Sequence, residues 1–245
     1  MNEVLVFDIS SFLAHFKNPA TIASPCTYPF PPATSVVGIV GAICGYKKES
    51  KDFHNECLQK INSADFIVAV QLLNPVRVFT SGYTWMNTKD LSSTESVIFR
   101  HQKCASPTVI QKLIYPHYRI YFAHENQEVF NELRGHLEQG TSVYTPCLGK
   151  ACCVANINYV GCKELRPIKI GSKVKINTAI DKNLVKIDYD KRHHYDIGSM
   201  ASRMNIDRSV KTYITYCVEV NTHPINTTVA EEGVYECEDN IICTI

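Results

Sequence analysis

The chain has 245 residues, 45% of them hydrophobic and 20% charged, so it is long enough to bury a full core and has the composition of a soluble globular protein. The net charge of +1 excludes no class of partner, because a basic face can be balanced by an acidic one. No apolar run reaches about 18 residues, so we expect no transmembrane helix and no membrane partner. The first ten residues lack a basic segment before their apolar run, which favours a strand over a signal peptide.

Eleven cysteines are present, and none of them forms a C-x-x-C pair. Without a secretory signal, such cysteines are expected to be reduced core side chains, which predicts a cytoplasmic protein. A metal site would need a cluster such as Cys147, Cys152, Cys153 and Cys162, whose spacing does not match a zinc ribbon. We therefore expect no metal ion and no other cofactor.

The most distinctive segment is YPFPPATSVVGIVGAICG at residues 28–45. Proline is favoured at a helix start and glycine just after a helix end, so the segment predicts a proline-capped helix that ends at Gly45. The helix is apolar nearly all round, which is typical of a buried helix. Gly38 and Gly41 each cost about 1 kcal/mol relative to alanine, so another backbone or a ligand is expected to approach closely. Both readings remain open: tight packing on a sheet, or a surface that a nucleic-acid backbone can approach.

The remaining patterns up to residue 165 alternate between strands and helices. Strands are predicted at 4–7, 64–73, 113–123 and 152–160, and helices at 53–62 and 125–138. Residues 80–112 are polar and too many for an ordinary loop, which indicates an extended hairpin or protrusion. The resulting order over residues 1–165 is β-α-(α)-β-insert-β-α-β. It predicts an α+β fold with a ferredoxin-like (RRM-like) domain and a long β-hairpin insert.

Residues 166–245 contain strand-like pieces and no convincing helix, which predicts a β-rich C-terminal part. Residues 166–212 hold eleven Lys or Arg against five Asp, an excess of six positive charges. This portion includes the run KRHHY at 191–195 and the segment GSMASRM at 198–204, which we interpret as a flexible loop. Phosphate contact and a solvated surface explain these charges equally well.

Three motifs together resemble the Cas-five family of CRISPR-associated subunits in type I Cascade complexes. The first is the 28–45 segment preceded by FDISSFLAHFK, which looks like the N-terminal signature of the family. The second is YTPCLGKACCVANI at 144–157, which resembles the family's glycine-containing loop between the second helix and the fourth strand. The third is PTVIQKLIYPHYRIYF, which leads from the insert into the third strand. The resemblance covers residues 1–165 well and the C-terminal part loosely.

The resemblance implies a ferredoxin-like domain whose protruding hairpin is often called a thumb. It also implies a subunit that caps the complex by binding the 5′ handle of CRISPR RNA. The implied partners are the CRISPR RNA, the Cascade backbone subunit, the Cascade large subunit and target DNA near the flanking motif. In one subtype the protein is itself a metal-independent endoribonuclease, whereas most other members are non-catalytic.

Aromatic and basic side chains supply one set of candidate RNA contacts. Aromatic rings stack on unpaired bases, and the candidates for this role are Tyr28, Trp85 and Tyr144. Basic side chains in the insert and in the C-terminal part would add phosphate contacts. These are Arg100, Lys191 and Arg192.

Backbone amides supply a second set of candidates. Amides near glycines can donate to phosphates, which singles out Gly38 and Gly149, and Lys150 beside the latter adds charge. The start of the proline-capped helix offers free N–H groups and a partial positive charge near Thr34 and Ser35. We therefore expect the first turn of this helix to contact RNA.

Catalysis is an alternative that the sequence leaves open. A metal-free ribonuclease needs a base for the 2′-OH, an acid for the leaving oxygen and a cation for the phosphorane. The side chains with this chemistry are Tyr46, His101, Lys103, Lys112 and His117. Tyr46 follows the first helix, where the resembled catalytic subtype carries an active tyrosine, but the others form no recognisable arrangement. We predict a non-catalytic RNA-binding subunit, with a precursor-processing endoribonuclease and a protein-interaction subunit with little RNA contact as alternatives.

Overall fold

The computed structural model describes residues 1–47, 55–86 and 105–245. The helices in these ranges are α1 (Ala33–Cys44), α2 (Glu56–Ile61) and α3 (Gln127–Gln139). The strands are β1 (Glu3–Ser10), β2 (Leu13–Ala14), β3 (Phe66–Leu72), β4 (Val78–Met86), β5 (Ala105–Ile114), β6 (His117–His124), β7 (Asn156–Glu164), β8 (Arg166–Pro167), β9 (Lys173–Ile176), β10 (Ile180–Asp181), β11 (Val185–Ile187), β12 (Tyr195–Met204), β13 (Val210–Glu219), β14 (Ile225–Val229), β15 (Val234–Cys237) and β16 (Asn240–Cys243). The chain is a mixed α and β protein rich in strands, as predicted.

A four-stranded antiparallel sheet lies at the centre, with its strands in the order β3-β6-β1-β7. β1 occupies an inner position, where Val6 pairs with Tyr121 of β6 and with Gly161 of β7. All four strands overlap segments that the sequence predicts as strands. The predicted strand at 113–123 is in fact split, because a turn containing Pro116 separates β5 from β6.

The helix ends follow the predicted capping signals. α1 begins after Pro32 and ends at Gly45, whose φ of 81° is left-handed. α3 ends in the same conformation at Gly140, with φ 63°. Glycine adopts this conformation at no steric cost, which explains why both helices stop where they do.

The two interior glycines of α1 have different surroundings. A Cβ on Gly41 would lie 2.4 Å from the Sγ of Cys57, so Gly41 allows α2 to pack closely against α1. A Cβ on Gly38 would meet nothing within 4 Å. The prediction of close approach therefore holds for Gly41, whereas Gly38 faces open space.

Both faces of the central sheet are covered. On one face, Leu5 and Phe7 of β1 share a core with α1 and α3. On the other face, Val6 packs in a smaller core with Cys237 and Ile242 from the C-terminal strands. The C-terminal strands therefore cover part of the second face of the sheet.

The insert forms an antiparallel hairpin as far as the structure describes it. β4 pairs with β5 from Val78 opposite Leu113 to Met86 opposite Ala105, and β2 joins the other edge of β5. Residues 87–104 lie outside the described ranges, as do Arg100, His101 and Lys103. The extended hairpin predicted for 80–112 is therefore present at its base.

The C-terminal part is built from three small antiparallel sheets, in the orders β10-β13-β12, β11-β14-β9 and β16-β15-β8. The interpretation of GSMASRM as a flexible loop is wrong, because these residues belong to β12 and pair with β13. Met200 in this segment is fully buried, which a solvated loop would not allow. Sequence reasoning was misled by the small and polar residues that alternate with the buried ones.

Two kinds of feature are not found in the described ranges. No helix there is both long enough and apolar enough to span a membrane. No group of three or more His, Cys, Asp or Glu side chains there is arranged to hold a metal ion.

Candidate nucleic-acid interface

Two aromatic rings lie side by side on the hairpin. Tyr83 and Trp85 are two residues apart on β4, so both side chains point to the same face of the strand. Their ring centroids are 6.0 Å apart with an interplanar angle of 21°, which is a stacked arrangement. Trp85 is 49% exposed. The pair presents an accessible aromatic surface of the kind on which unpaired bases stack.

Lys112 of the neighbouring strand holds this aromatic pair in position. Its ammonium donates a hydrogen bond to the Tyr83 hydroxyl and lies 4.5 Å from the centroid of the Tyr83 ring. The hydrogen bond raises the pKa of Lys112 and lowers that of Tyr83. Lys112 is buried, so its main effect is to fix the orientation of Tyr83.

The glycine loop at 144–157 packs against the N-terminal segment after β2. The backbone N–H of His15 donates to the carbonyl of Leu148 at 3.1 Å. Gly149 has a left-handed φ of 88°, and a Cβ there would lie 2.0 Å from the His15 carbonyl oxygen. The Gly149 N–H donates to Cys147 at 3.0 Å, so it is not free for the phosphate contact predicted from sequence. The role of Gly149 is to let the loop approach His15.

This close approach brings Lys150 to the hairpin. The Lys150 ammonium lies 5.5 Å from the centroid of the Trp85 ring, within the range of a cation–π interaction. Two residues that the sequence marks as candidate RNA contacts, 65 positions apart in number, therefore meet at one place. Lys150 is half-buried and retains access to solvent.

The charges of three lysines converge on His15. Its Nδ1 donates to the Gln111 carbonyl at 2.7 Å, because a carbonyl oxygen can only accept. Burial lowers the pKa of His15 most; the bond to Gln111 opposes this, and the positive charges of Lys150, Lys112 and Lys17 lower the pKa further. The imidazole is therefore a neutral support beneath a positively charged surface.

We call this surface the lysine–aromatic patch and define it by Lys17, Tyr83, Trp85, Lys112 and Lys150. None of its three lysines has an ion-pair partner within the ranges that the structure describes. Unpaired cations beside exposed aromatic rings are the combination that binds the backbone and the bases of single-stranded nucleic acid. The patch can therefore hold an RNA strand.

Sequence reasoning missed three residues at this site: His15, Lys17 and Tyr83. The signal for Tyr83 was available, because Tyr83 and Trp85 have the two-residue spacing that places side chains on one face of a strand. His15 and Lys17 stand in the motif FDISSFLAHFK, but only the fold shows that this motif contacts the glycine loop.

Three other predicted residues meet in a separate groove. Thr34 and Gly38 of α1 and Tyr144 line an apolar depression of about 690 Å³, together with Arg208 at the turn after β12. Ser35 is not part of its lining, and its N–H donates to the Pro32 carbonyl at 2.8 Å. Trp85 and Lys150 thus lie in the patch, whereas Thr34, Gly38 and Tyr144 lie in this groove, which we call the α1 groove.

The predicted stacking role of Tyr28 is wrong. Only 6% of Tyr28 is exposed, and its ring packs edge-on against Tyr216. Its hydroxyl donates to the carbonyl of Ser199 at 3.0 Å. Tyr28 therefore anchors the proline-rich segment to β12 and offers no ring face to a base.

Lys191 and Arg192 lie in the turn between β11 and β12 and outside both the patch and the α1 groove. The Arg192 guanidinium forms two side-chain hydrogen bonds with Asp190, of 2.7 and 3.1 Å. These bonds hold the pKa of Asp190 well below its usual range. The charge of Arg192 is therefore already balanced, whereas the side chain of Lys191 is exposed.

Tyr46 does not have the environment of a catalytic base. It is buried, its hydroxyl donates to Oε2 of Glu132 at 2.7 Å, and Lys60 lies over its ring. Burial, followed by the hydrogen bond to Glu132, raises its pKa far above the usual value. A tyrosine that holds its proton this strongly is a poor acceptor for the proton of a 2′-OH.

The other candidate catalytic residues that the structure describes, Lys112 and His117, are not near Tyr46. The Tyr118 hydroxyl donates to Pro29, which places the start of β6 beside the N-terminal approach to α1. α1 has 12 residues and spans about 18 Å, and Tyr46 follows its far end. Side chains alternate along β6, so His117 points away from the face that Tyr118 shares with α1. Lys112 lies in the lysine–aromatic patch, so the described residues do not assemble the predicted catalytic set.

Comparison with known proteins identifies the family. The family model described as CRISPR-associated protein (Cas_Cas5) matches residues 4–210. The chain belongs to this Cas5 family. The match contains the three motifs that carry the predicted resemblance, and it continues past residue 165 into the β-rich C-terminal part. No curated protein sequence matches the chain.

Solved structures share the Cas5 fold of this chain. A crystal structure of a CRISPR protein from Archaeoglobus fulgidus superposes with a TM-score of 0.59 at 12% identity, covering 99% of each chain. A chain from a CRISPR RNA-guided surveillance complex superposes with a TM-score of 0.52 at 10% identity, covering 94% of this chain and 91% of the other. The likeness at these identities is one of fold.

Proposed function

We propose that this Cas5 protein is a non-catalytic Cascade subunit that binds and caps the 5′ handle of CRISPR RNA. The observation that carries the proposal is the lysine–aromatic patch, where the hairpin, the glycine loop and the N-terminal motif meet. Membership of the Cas5 family and likeness to a chain of a CRISPR RNA-guided surveillance complex support the proposed place in a Cascade complex. In that setting the protein links the backbone subunit to the large subunit during antiviral DNA interference in the cytoplasm.

Each side chain of the lysine–aromatic patch has a separate role in binding the handle. Lys17 and Lys150 retain access to solvent and contact phosphates, while Trp85 stacks on an unpaired base. Lys112 positions Tyr83, which in turn stacks against Trp85. Among the described residues neither Lys17 nor Lys150 takes part in an ion pair, so RNA meets lysines whose charge no carboxylate neutralises.

We also propose that residues 1–165 form a ferredoxin-like domain. The support is the connection of the central sheet: a helix follows the first and the third of its strands, and the spatial order is second, third, first, fourth. Residues 166–245 then form a β-rich addition that covers the second face of the sheet. This arrangement leaves the hairpin base and the glycine loop as the accessible RNA-binding elements.

The test measures binding of a labelled handle RNA as a function of salt concentration. Each lost phosphate contact on a single strand lowers the salt slope by about 0.7, so a K17Q/K150Q variant should lower it by about 1.4. The matched control is K182Q/K211Q, which removes the same charge from exposed positions outside the patch. Equal slopes for the two double variants would refute the patch as the handle site.

A second measurement separates the alternatives. The purified chain is incubated with labelled repeat RNA in EDTA, and the products are resolved by length. We expect intact RNA. Site-specific cleavage would overturn the non-catalytic proposal, and failure to bind the handle would leave only a protein-interaction role.

A further inference from the structure

The small sheet β11-β14-β9 presents a row of lysines on its outer face. Lys173 of β9 lies opposite Thr228 of β14, which lies opposite Lys186 of β11. In the next outward row, Lys175 lies opposite Asn226. The three lysines are exposed, and together they form what we call the lysine face.

The lysine face is held rigidly by the core beneath it. Side chains alternate along a strand, so the residues between the lysines point inward. Ile176, Val185 and Val229 are buried in a hydrophobic core below the sheet. Lys173 and Lys175 are therefore about 7 Å apart along β9, and Lys173 and Lys186 are about 10 Å apart across two strand spacings.

The charge of the lysine face is not compensated by ion pairs. Among the described residues, Lys173, Lys175 and Lys186 take part in none. A shallow depression of about 300 Å³ lies on this face, lined in part by Asn226, Thr228 and the single carboxylate Asp188. The amide and the hydroxyl can donate to an oxygen anion, so the face offers both charge and hydrogen bonds.

We propose that the lysine face binds the phosphate backbone of a nucleic-acid duplex. The outward residues of the three strands are lysine, asparagine and threonine, and Asp188 follows β11, so none of them offers an aromatic ring to an unpaired base. A duplex keeps its bases stacked inside and presents one phosphate per strand for about every 3.4 Å of helix axis. Two lysines about 7 Å apart on one strand then reach phosphates of the same backbone. Such contacts position a duplex without reading its sequence.

The lysine face is separate from the lysine–aromatic patch, and the proposal does not depend on the handle site. The patch combines cations with stacking rings and suits a single strand, whereas the lysine face has three cations, polar side chains and one carboxylate but no ring. The two sites therefore predict different ligands for one protein.

The experiment measures binding of the full chain to a labelled duplex of arbitrary sequence across a range of salt concentrations. Each lost contact with B-form DNA lowers the salt slope by about 0.9. We expect K173Q/K175Q/K186Q to lower the slope by about 2.7, and the corresponding triple Lys→Arg variant to retain it. The matched control, K182Q/K191Q/K211Q, removes equal charge from exposed positions elsewhere and should retain most of the slope. DNA and RNA duplexes of the same sequence are compared, and tighter binding of one of them identifies which type of duplex the lysine face binds.

Two further arms make the proposal falsifiable. The patch variant K17Q/K150Q should still bind the duplex, while the lysine-face variant should still bind handle RNA. Equal losses in the lysine-face variant and its control would overturn the proposal, as would tighter binding of a single strand by the lysine face. Lysines on edge strands also protect against edge-to-edge association. If the single variant Lys173→Gln lowers solubility without changing the slope, protection is their role and the proposal fails.

Discussion

The carbonyl oxygen of His15 lies only 2.0 Å from the position that a Cβ on Gly149 would occupy. This contact joins the N-terminal motif to the glycine loop and places Lys150 beside Trp85. Two conditions must hold at Gly149: a left-handed φ of 88° and the absence of a side chain. The motif LGKA therefore contains a glycine for a steric reason that no other residue satisfies.

We predict that Gly149→Ala destabilises the protein and weakens binding of handle RNA. The left-handed φ costs about 1–2 kcal/mol for an alanine. The clash with the His15 carbonyl adds about 1–3 kcal/mol of overpacking. Thermal unfolding measures the loss of stability. Titration with handle RNA, at a temperature where the variant is folded, measures the loss of binding.

Gly171 is the matched control for this prediction. Its φ is also 88°, but a Cβ there would meet nothing within 4 Å. Gly171→Ala should therefore show the conformational cost alone and bind the handle normally. Equal destabilisation by both substitutions would show that the approach of Gly149 to His15 has no energetic consequence.

The two interior glycines of α1 should respond to alanine in opposite directions. Gly38 faces open space, so Gly38→Ala should stabilise the helix by about 1 kcal/mol through improved helix propensity. Gly41→Ala gains the same propensity but places a methyl group 2.4 Å from Cys57 Sγ, so we expect net destabilisation. Denaturant unfolding of the two variants measures the difference. A stabilised Gly41→Ala protein would mean that α2 moves freely away from α1.

Trp85 and Tyr144 distinguish the patch from the α1 groove. Both side chains are exposed, at 49% and 47%, but only Trp85 belongs to the lysine–aromatic patch. Trp85→Ala should weaken handle binding by about 1–3 kcal/mol, the usual loss for one stacked base. It should leave the salt slope unchanged, because no charge is removed. A larger loss from Tyr144→Ala would move the site for the handle to the α1 groove.

The stability of the protein should fall below neutral pH because of two buried histidines. Burial is the largest cause that lowers the pKa of His15 and of His124 below the ordinary value of 6.5. The unfolded chain therefore binds more protons between the lowered pKa values and 6.5, and the free energy of unfolding decreases as the pH falls through that window. At His124 the cost has a structural cause, since Nδ1 accepts the N–H of Asn126 and must lose this bond when protonated.

The variant His15→Asn tests this pH dependence. The asparagine amide can still donate to the Gln111 carbonyl, but it does not titrate. The variant should lose less stability than the wild type between pH 7 and pH 5.5. His194→Asn, at an exposed position, is the control and should follow the wild type. Identical pH profiles for His15→Asn and wild type would contradict the prediction.

Local signals predicted much of the fold. Pro32 and Gly45 bracket α1, and Gly140 ends α3, because these residues act through their own backbone geometry. The strands of the central sheet are visible as β-branched and aromatic runs. What local signals could not show is which strands of the C-terminal part pair, since β12 carries small and polar residues and is fixed by its partner β13.

The candidate site was also predictable only in part, because sequence patterns show residue types but not contacts between distant segments. Trp85 and Lys150 were identifiable by type, but their meeting depends on contacts between distant segments. Tyr28 failed as a prediction because a tyrosine in a loop motif has the same sequence appearance whether it faces solvent or Tyr216. The neutralisation of Arg192 by Asp190 was readable from their spacing of two residues.

The covering of the central sheet by Cys237 and Ile242 has a consequence for synthesis of the protein on the ribosome. Val4 and Val6 of the first strand complete their packing only against these residues near position 240. During translation this part of the second face of the sheet therefore stays exposed until residues 237–242 have left the exit tunnel. Contacts of such large sequence separation slow folding. Nascent chains that stall before β15 should accordingly be captured by chaperones or degraded.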